Sequence, residues 1–337
     1  MTAKLLELDE IRKAAARISG TAVKTPLVRL DVPGVGEREI WVKCESAQPI
    51  GSFKLRGAFN MIAQLPPEAL AKGVITYSSG NHAQGVAYGA RALGAKAVIV
   101  MPDNAPAVKI AATRELGAEI VFVGPASSAR KEKAEELAEK FGYTIVPPYD
   151  HPHIVAGQAT CGLEIAEELP YVDLVLSPVS GGGLLSGTAT AVKLCAESGI
   201  CNRAVKVWGA EPALAADAKE SFETKTLVEW PAAMTSRTIG DGLRTQSLGE
   251  LNFAHILRYV DGIVAVSEEE ILEAMRVYLR HSELIPEPSG AVTLAAALFH
   301  AAELPEAKKI VVVLSGRNID PMLLRSLRES NATATAP

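Results

Sequence analysis

Short runs of β-forming residues alternate with helix-like stretches along most of this 337-residue chain, and that alternation restricts the fold more than any other feature. Val74-Ile75-Thr76-Tyr77 leads through a glycine-bearing loop into the alanine-rich stretch Ala83 to Leu93, and Ala97-Val98-Ile99-Val100-Met101 follows. This reads as a strand, a helix and a second strand. The series continues with a helix around Val108 to Leu116, a strand at Ile120 to Val123, a charged helix from Ala129 to Phe141 and a strand at Tyr143 to Val146. A second series has strands at Leu174 to Leu176, Val205 to Trp208, Gly262 to Val266 and Lys309 to Leu314. Ser267-Glu268-Glu269-Glu270 stands in capping-box spacing directly after the third of these. The length exceeds what one hydrophobic core usually serves. The expected fold is therefore α/β and two-lobed, each lobe a mostly parallel sheet flanked by helices, with a cleft between them.

Composition narrows the partners. The chain is 48% hydrophobic and 22% charged with a formal net charge of -5, and its Lys and Arg are scattered rather than massed. That argues against nucleic acid and against an anionic membrane surface. Cys44, Cys161, Cys195 and Cys201 form no Cys-x-x-Cys pair and no zinc-like spacing with histidine, so they read as buried free thiols of a reducing compartment. Met1 to Glu10 lacks a signal-peptide core, and the longest apolar run, Ala291 to Phe299, is too short to span a bilayer. A cytoplasmic protein is expected.

Four segments carry chemistry. Lys54, in Gly51-Ser52-Phe53-Lys54-Leu55-Arg56-Gly57, sits among small and apolar residues rather than beside acids. An amine in apolar surroundings loses the solvation that favours its charged form, so its pKa falls and it can attack a carbonyl as the free base. Taken alone, the segment reads sooner as a solvated lysine near a helix start. Gly181-Gly182-Gly183 follows a strand and precedes a helix, which exposes backbone N–H groups at a helix N-terminus, the makings of a phosphate cradle. No Gly-Lys-Ser/Thr follows and the dinucleotide spacing is missing, and a structural tight turn fits the loop by itself. Ser78-Ser79-Gly80-Asn81-His82 and Ser315-Gly316-Arg317-Asn318 also stand at the carboxyl ends of expected strands, where ligands collect in open α/β sheets. Helix-capping turns would account for either one alone.

Together, Ser52 to Ala58, Ser79-Gly80-Asn81-His82-Ala83-Gln84-Gly85, Ser180-Gly181-Gly182-Gly183-Leu184 and Ser315-Gly316-x-Asn318 resemble the threonine/serine dehydratase and serine racemase group of pyridoxal-phosphate enzymes. These have the tryptophan synthase β-subunit-like fold, fold type II. The likeness runs in order from Ile11 to Leu327. It implies a large cofactor-binding domain of residues 1–51 and 148–327 and a small domain of residues 52–147; the small, polar, unpatterned residues from Ser330 to Pro337 read by composition as a disordered tail, set at 328–337. The likeness implies that Lys54 is the Schiff-base lysine, that Phe53 packs beside the cofactor ring and that Asn81 bonds the phenolic oxygen. Gly181, Gly182, Gly183 and Leu184 would hold the phosphate, Ser315 would meet the pyridine nitrogen, and Gly240 would lie over the opposite ring face. Ser78, Ser79, Asn81 and His82 would receive the substrate carboxylate.

The reaction implied is conversion of an L-β-hydroxy amino acid, of the threonine or serine type, through aminoacrylate to a 2-oxo acid and ammonia. Two alternatives stay open: serine racemisation with accompanying dehydration, and threo-3-hydroxyaspartate ammonia-lyase activity. Ser79 bears on both, since a hydroxyl on the face opposite Lys54 can exchange the Cα proton from the second side. Arg317 stands where relatives commonly have glycine, and it and Arg244 are candidates for a second substrate carboxylate. Glu211, Ala215 and Asp217 resemble a divalent-cation loop whose hard oxygen donors suit Mg²⁺, Ca²⁺ or Mn²⁺, although without the resemblance they read as a solvated turn. A homodimer is a further expectation from the family. His151-x-His153 and the mixed charges of Lys131 to Glu136 read as an exposed loop and a solvated helix face.

Overall fold

The computed structural model describes residues 4–105, 107–124 and 127–334, and in them the alternation resolves into ten strands and two sheets. The strands are β1 Leu27–Leu30, β2 Glu39–Cys44, β3 Val74–Thr76, β4 Ala97–Pro102, β5 Glu119–Val123, β6 Thr144–Ile145, β7 Leu174–Pro178, β8 Lys206–Pro212, β9 Gly262–Val266 and β10 Lys309–Leu314. The larger sheet has the order β1-β2-β10-β7-β8-β9 and the smaller β5-β4-β3-β6. Every pairing is parallel except that of the edge strand β1 with β2. The mostly parallel two-sheet α/β architecture expected from the alternation is what the chain forms.

Strand order decides where a ligand can sit. In the smaller sheet the chain runs from β3 through β4 to β5 on one side, then crosses back to lay β6 on the other side of β3. In the larger sheet it runs from β7 through β8 to β9, then returns to put β10 on the other side of β7. Each sheet therefore has a switch point, and there the loops after adjacent strands diverge and leave a crevice. The loops so placed follow β3 and β6 in one sheet and β7 and β10 in the other, and three of the four hold the motifs singled out above.

Parallel strands covered on both faces read as continuous apolar runs, and β10 shows how its two faces divide. Ile310, Val312 and Leu314 join a buried cluster with Ile271, Met275, Tyr278 and Leu294, whereas Val311 and Val313 join a second one with Val155, Leu185 and Val192. Each fully buried Val, Leu or Ile contributes about 1.5–3 kcal/mol. The capping box at Ser267 is formed, with Glu270 N–H donating to Ser267 Oγ at 3.2 Å and Ser267 N–H to Glu270 Oε2 at 2.7 Å.

The tail departs from expectation. Instead of losing order at residue 328, the Pro321–Ala334 helix continues through it, and residues 335–337 lie outside the described part. Leu327 is buried in the cluster beneath, so one anchored turn carries weak helix formers along with it. Among the described residues no helix is long and apolar enough to cross a membrane.

The Lys54–Ile62 helix crosses the Pro152–Glu168 helix at glycines on both. A Cβ on Gly157 would lie 2.5 Å from the Arg56 carbonyl oxygen, and one on Gly57 would lie 2.9 Å from the Ile154 carbonyl oxygen. Backbone cannot yield as a flexible side chain does, so the close crossing requires glycine. Gly157→Ala is expected to cost about 1–3 kcal/mol. Urea denaturation would measure it, and an unchanged midpoint would refute the close crossing.

Candidate active site

Lys54 is positioned by the strand end that faces it. Ser52 and Gly316 form an antiparallel bridge in which Phe53 N–H donates to the Ser315 carbonyl at 3.1 Å and Arg317 N–H to the Gly51 carbonyl at 2.9 Å. The loop after β10 is thus stitched to the residues just before the lysine, which opens its own helix. Lys54 Nζ donates to the Pro148 carbonyl at 2.8 Å and lies 5.2 Å from the centroid of the Phe53 ring. The residue is half-buried, but its amine is enclosed, and that loss of solvent lowers its pKa to about 8 against the opposing pull of Glu287. At pH 7 roughly a tenth of such amines are free base, against well under ~0.1% for an ordinary lysine.

Two residues further on, Arg56 is treated in the opposite way. Its Nε and Nη2 donate to the two carboxylate oxygens of Glu45, each at 2.7 Å, and its Nη1 and Nη2 donate to those of Glu164 at 2.6 and 2.8 Å. Thr160 Oγ1 accepts from Nη1 as well, at 3.0 Å. Lys43, fully buried, donates to the Thr25 carbonyl at 2.6 Å and pairs with Glu164 at 2.7 Å. This network lies beneath the lysine, and no local sequence pattern pointed to it.

The Gly183–Glu197 helix begins on Gly182, whose φ of 93° lies in the left-handed region that glycine alone adopts without cost. Its first N–H groups have no carbonyl within their own helix, and the macrodipole adds positive potential there. The loop is held from behind by Asn252 Nδ2 donating to the Gly181 carbonyl at 2.7 Å and by a 2.6 Å hydrogen bond between Ser180 and Thr245. Leu184 is buried, so what it offers is its N–H. Tyr149 lies against the glycines: a Cβ on Gly181 would be 2.5 Å from its ring and one on Gly183 would be 3.1 Å from Tyr149 Cβ. Since Tyr149 follows the Pro148 that accepts from Lys54, the amine and the glycine loop are neighbours. Burial raises the Tyr149 phenol to about 12, so it stays protonated. The sequence reading missed Tyr149, whose only signal is its place after β6.

Ser78 to His82 lead into the Asn81–Ala92 helix, again an N-terminus with unpaired N–H groups. Ser79 makes no side-chain hydrogen bond among the described residues. The imidazole of His82 is buried with Nε2 3.0 Å from the Val146 carbonyl, and burial, then Lys54, drives its pKa down to about 3. A neutral ring donating to Val146 leaves Nδ1 a buried lone pair without a partner, so what His82 can offer an anion is its main-chain N–H. Asn81 Nδ2 donates to Glu287 Oε1 at 2.8 Å. Ser315 is buried, with a long 3.5 Å hydrogen bond to the Ser289 carbonyl, and Gly242 N–H donates to Ser289 Oγ at 2.9 Å. Gly240 is buried beside Pro212, Thr238 and Leu243, and Gly242, two residues on, is the one that meets Ser289.

Glu287 is the main residue the sequence reading missed. It is buried at the N-cap of the Pro288–Phe299 helix, and burial, then Asp241, pushes its carboxyl up to about 7. Asp241 is itself ion-paired with Lys109, joining the loop after Gly240 to the smaller-sheet side.

Glu211, Ala215 and Asp217 lie together where β8 ends and the Asp217–Thr224 helix begins. Both carboxylates are buried; Glu211 Oε1 accepts from Lys219 N–H at 2.7 Å, while Glu211 Oε2 and Asp217 Oδ2 have no partner. Burial, then Asp217, raises the Glu211 pKa, and burial lifts Asp217 to about 7. Among the described residues no group of three or more His, Cys, Asp or Glu side chains gathers as a metal site would. Arg244 folds back on the Thr238 carbonyl, with Nε at 3.0 Å and Nη2 at 2.5 Å. Arg317 is exposed and has no ion-pair partner among the described residues. His151 Nδ1 accepts from His153 N–H and caps a helix, and Lys133 pairs with Glu136 on an open face.

An amine that reacts as the free base, beside a helix N-terminus built to face an anion, is what holds a carbonyl-bearing phosphate covalently. The chain belongs to the pyridoxal-phosphate dependent enzyme family, whose profile matches residues 18–316. It is 38% identical over 313 residues to L-threo-3-hydroxyaspartate ammonia-lyase of Saccharomyces cerevisiae, covering 92% of this chain and 93% of that protein. It is 39% identical over 321 residues to L-threonine ammonia-lyase of Thermotoga maritima, covering 94% and 76%. The crystal structure of serine racemase from Dictyostelium discoideum matches with a TM-score of 0.86 at 36% identity, covering 94% of this chain and 99% of that one.

The residues present fit the cofactor. The left-handed Gly182 opens a helix N-terminus, a side chain at Gly181 would collide with the Tyr149 ring packed on that loop, and enclosure lowers the pKa of the Lys54 amine close by. Capture of pyridoxal phosphate, followed by visible absorption, is expected to quicken with pH about a midpoint near 8, because only the unprotonated amine attacks. Lys54→Ala should remove the band. A midpoint near that of a free lysine, roughly 10, would mean a solvated amine.

Proposed function

We propose that this chain is an ammonia-lyase that converts an L-β-hydroxy amino acid of the threonine or serine type to a 2-oxo acid and ammonia. The observation that carries the reading is the depressed pKa of Lys54, enclosed beside Pro148 and the glycine loop. Pyridoxal phosphate, when bound, supplies a sink for the electron pair left at Cα. Gly181, Gly182, Gly183 and Leu184 would hold its phosphate with their N–H groups, and Phe53 and Gly240 would pack against its ring. Asn81 Nδ2 would donate to the phenolic oxygen, and Ser315 would offer the ring nitrogen a neutral hydroxyl. Ser78, Ser79 and the main-chain N–H groups of Asn81 and His82 hold the substrate carboxylate at a second helix N-terminus. Lys54 then takes the Cα proton as a free amine, and the β-hydroxyl takes up one proton and leaves as water, so the elimination consumes no net proton. Hydrolysis of the resulting imine uses one water, so the balance is amino acid to 2-oxo acid plus ammonia.

Ser79 supports a second reading, racemisation alongside elimination, because its hydroxyl has no partner among the described residues and is free to carry a proton. A panel of L-serine, L-threonine and threo-3-hydroxyaspartate, scored for 2-oxo acid and for Cα deuterium exchange, separates the readings. Under racemisation, Ser79→Ala lowers D-isomer formation by roughly 10²–10⁴-fold and spares elimination. Equal loss of both, or no loss, removes Ser79 as a base. Failure of every panel member to yield 2-oxo acid overturns the lyase reading.

The same proposal includes a divalent cation at Glu211, Asp217 and the Ala215 carbonyl, supported by the two unpartnered carboxylate oxygens. Hard oxygen donors suit Mg²⁺, Ca²⁺ or Mn²⁺. Adding Mg²⁺ or Ca²⁺ to chelator-treated protein should raise Tm by about 2–4 °C per kcal/mol of binding, and Glu211→Ala should abolish the rise. The absence of any rise would remove the site. Four buried free thiols support residence in a reducing, cytoplasmic compartment, and a homodimer is proposed on the family resemblance alone.

A further inference from the structure

The Glu287 carboxylate is buried, yet no cation pairs with it among the described residues; the charged groups that face it are Lys54, Lys109 and Asp241. A buried carboxylate without a counter-ion is costly unless hydrogen bonds to the ionised form offset the lost water. Glu287 has two such bonds, one at each oxygen. Oε1 accepts from Asn81 Nδ2 at 2.8 Å and Oε2 accepts from Asn318 N–H at 3.1 Å. Its backbone is pinned as well, with its N–H donating to the Gly316 carbonyl at 3.0 Å and its own carbonyl accepting from Gly290 N–H at 2.9 Å. A side chain on Gly316 would collide with the carboxylate, so the loop after β10 is shaped around it.

Donor and acceptor roles in this cluster leave one consistent arrangement. Asn318 Nδ2 donates to the Ile50 carbonyl at 3.0 Å, and a carbonyl can only accept, so the amide side of Asn318 is fixed. The same nitrogen donates to Asn81 at 2.7 Å, so the Asn81 atom it meets must be Oδ1. That turns Asn81 Nδ2 toward Glu287, where one N–H is used and the second stays free. The flipped amide would set Oδ1 against a carboxylate and Nδ2 against the Asn318 nitrogen, opposing like with like at both ends. Glutamine at 287 could not replace glutamate here. It would accept at one end only and would face its own N–H groups toward Asn318 N–H or toward Asn81 Nδ2.

We propose that Glu287 is a positioning residue: its carboxylate, with the Asn318 carboxamide, locks the flip of Asn81 so that the free N–H of Nδ2 is presented to the phenolic oxygen of bound pyridoxal phosphate. This rests on the cofactor role of Asn81 given under Proposed function. It adds a reason for a carboxylate, rather than any polar group, at the start of the Pro288–Phe299 helix. Ionisation of the ring oxygen is favoured by a fixed donor and disfavoured by a carbonyl, so the locked amide also sets the electronic state of the ring.

The test is a double-mutant cycle of E287Q and N81A, with E287A as a second deletion, on protein stripped of cofactor and titrated with pyridoxal phosphate. Two quantities are read: the dissociation constant, and the wavelength of the visible band. E287Q, which keeps the size of the side chain, is expected to weaken binding about tenfold and to move the band in the same direction as N81A. In the N81A background the further effect of E287Q is expected to fall below about twofold, because the lock then has nothing to hold. Equal factors in both backgrounds, or a band that moves with N81A and not with E287Q, would overturn the proposal. If the wild type takes up pyridoxal phosphate without any visible band, the cofactor reading itself fails, which is a different result from either.

Discussion

The double fork of Arg56 is the interaction on which the rest of the site depends. One guanidinium joins three separate parts of the chain: Glu45 just after β2, the helix that begins with Lys54, and Glu164 on the Pro152–Glu168 helix. A buried ion pair is not in itself a large source of stability, because desolvating the charges costs about as much as their attraction returns. What matters is the state that any other arrangement would leave behind. Separating these groups would strand charges in the interior at a cost of about 3–5 kcal/mol each time a partner is lost. The network therefore permits one relative placement of sheet and helices. The glycine crossing at Gly57 and Gly157 holds the same helices at backbone contact.

Topology then sets what the rigid frame surrounds. Both sheets reverse their strand order at an inner strand, β3 in one and β7 in the other, and the two crevices are closed by the same few contacts. Pro148, after β6, accepts from Lys54, and Tyr149 beside it covers the glycine loop after β7. The loop after β10 is bridged to the residues before Lys54. The helices that open after β3 and β7 place two sets of unpaired N–H groups near one amine, which suits a ligand with two anionic ends.

How far this could be read from sequence follows from the range of each cause. Strands such as β4 and β10 are continuous apolar runs, so local pattern found them, and the Ser267 capping box is a short local signal. The glycine loop and the Ser78–His82 turn were legible for the same reason, being short segments at strand ends. Glu287 was not, because nothing near it in the chain explains a buried carboxylate. Its partners Asn81 and Asn318 are distant in sequence and converge only through the switch point. Arg56 stood in plain view inside a quoted motif, yet its meaning lay in Glu45 and Glu164. The tail was misread because composition describes a free peptide, whereas Leu327 anchors the Pro321–Ala334 helix to the core.

Lys54 and Arg56 share a helix and an interior, and they differ in what meets them. Burial alone would drive the proton from both. Arg56 has Glu45 and Glu164 in contact and further oxygens around it, so its charge is held more firmly than in water. Lys54 has one neutral carbonyl, from Pro148, and only the distant pull of Glu287, so burial wins and the amine is partly free near neutral pH. Had a carboxylate stood where the Pro148 oxygen stands, Lys54 would be a second structural cation. The reactivity of the site is thus decided by where acids are withheld: Glu45 and Glu164 are taken up by Arg56 and Lys43, and Glu287 is turned by Asn81 and Asn318 toward other donors.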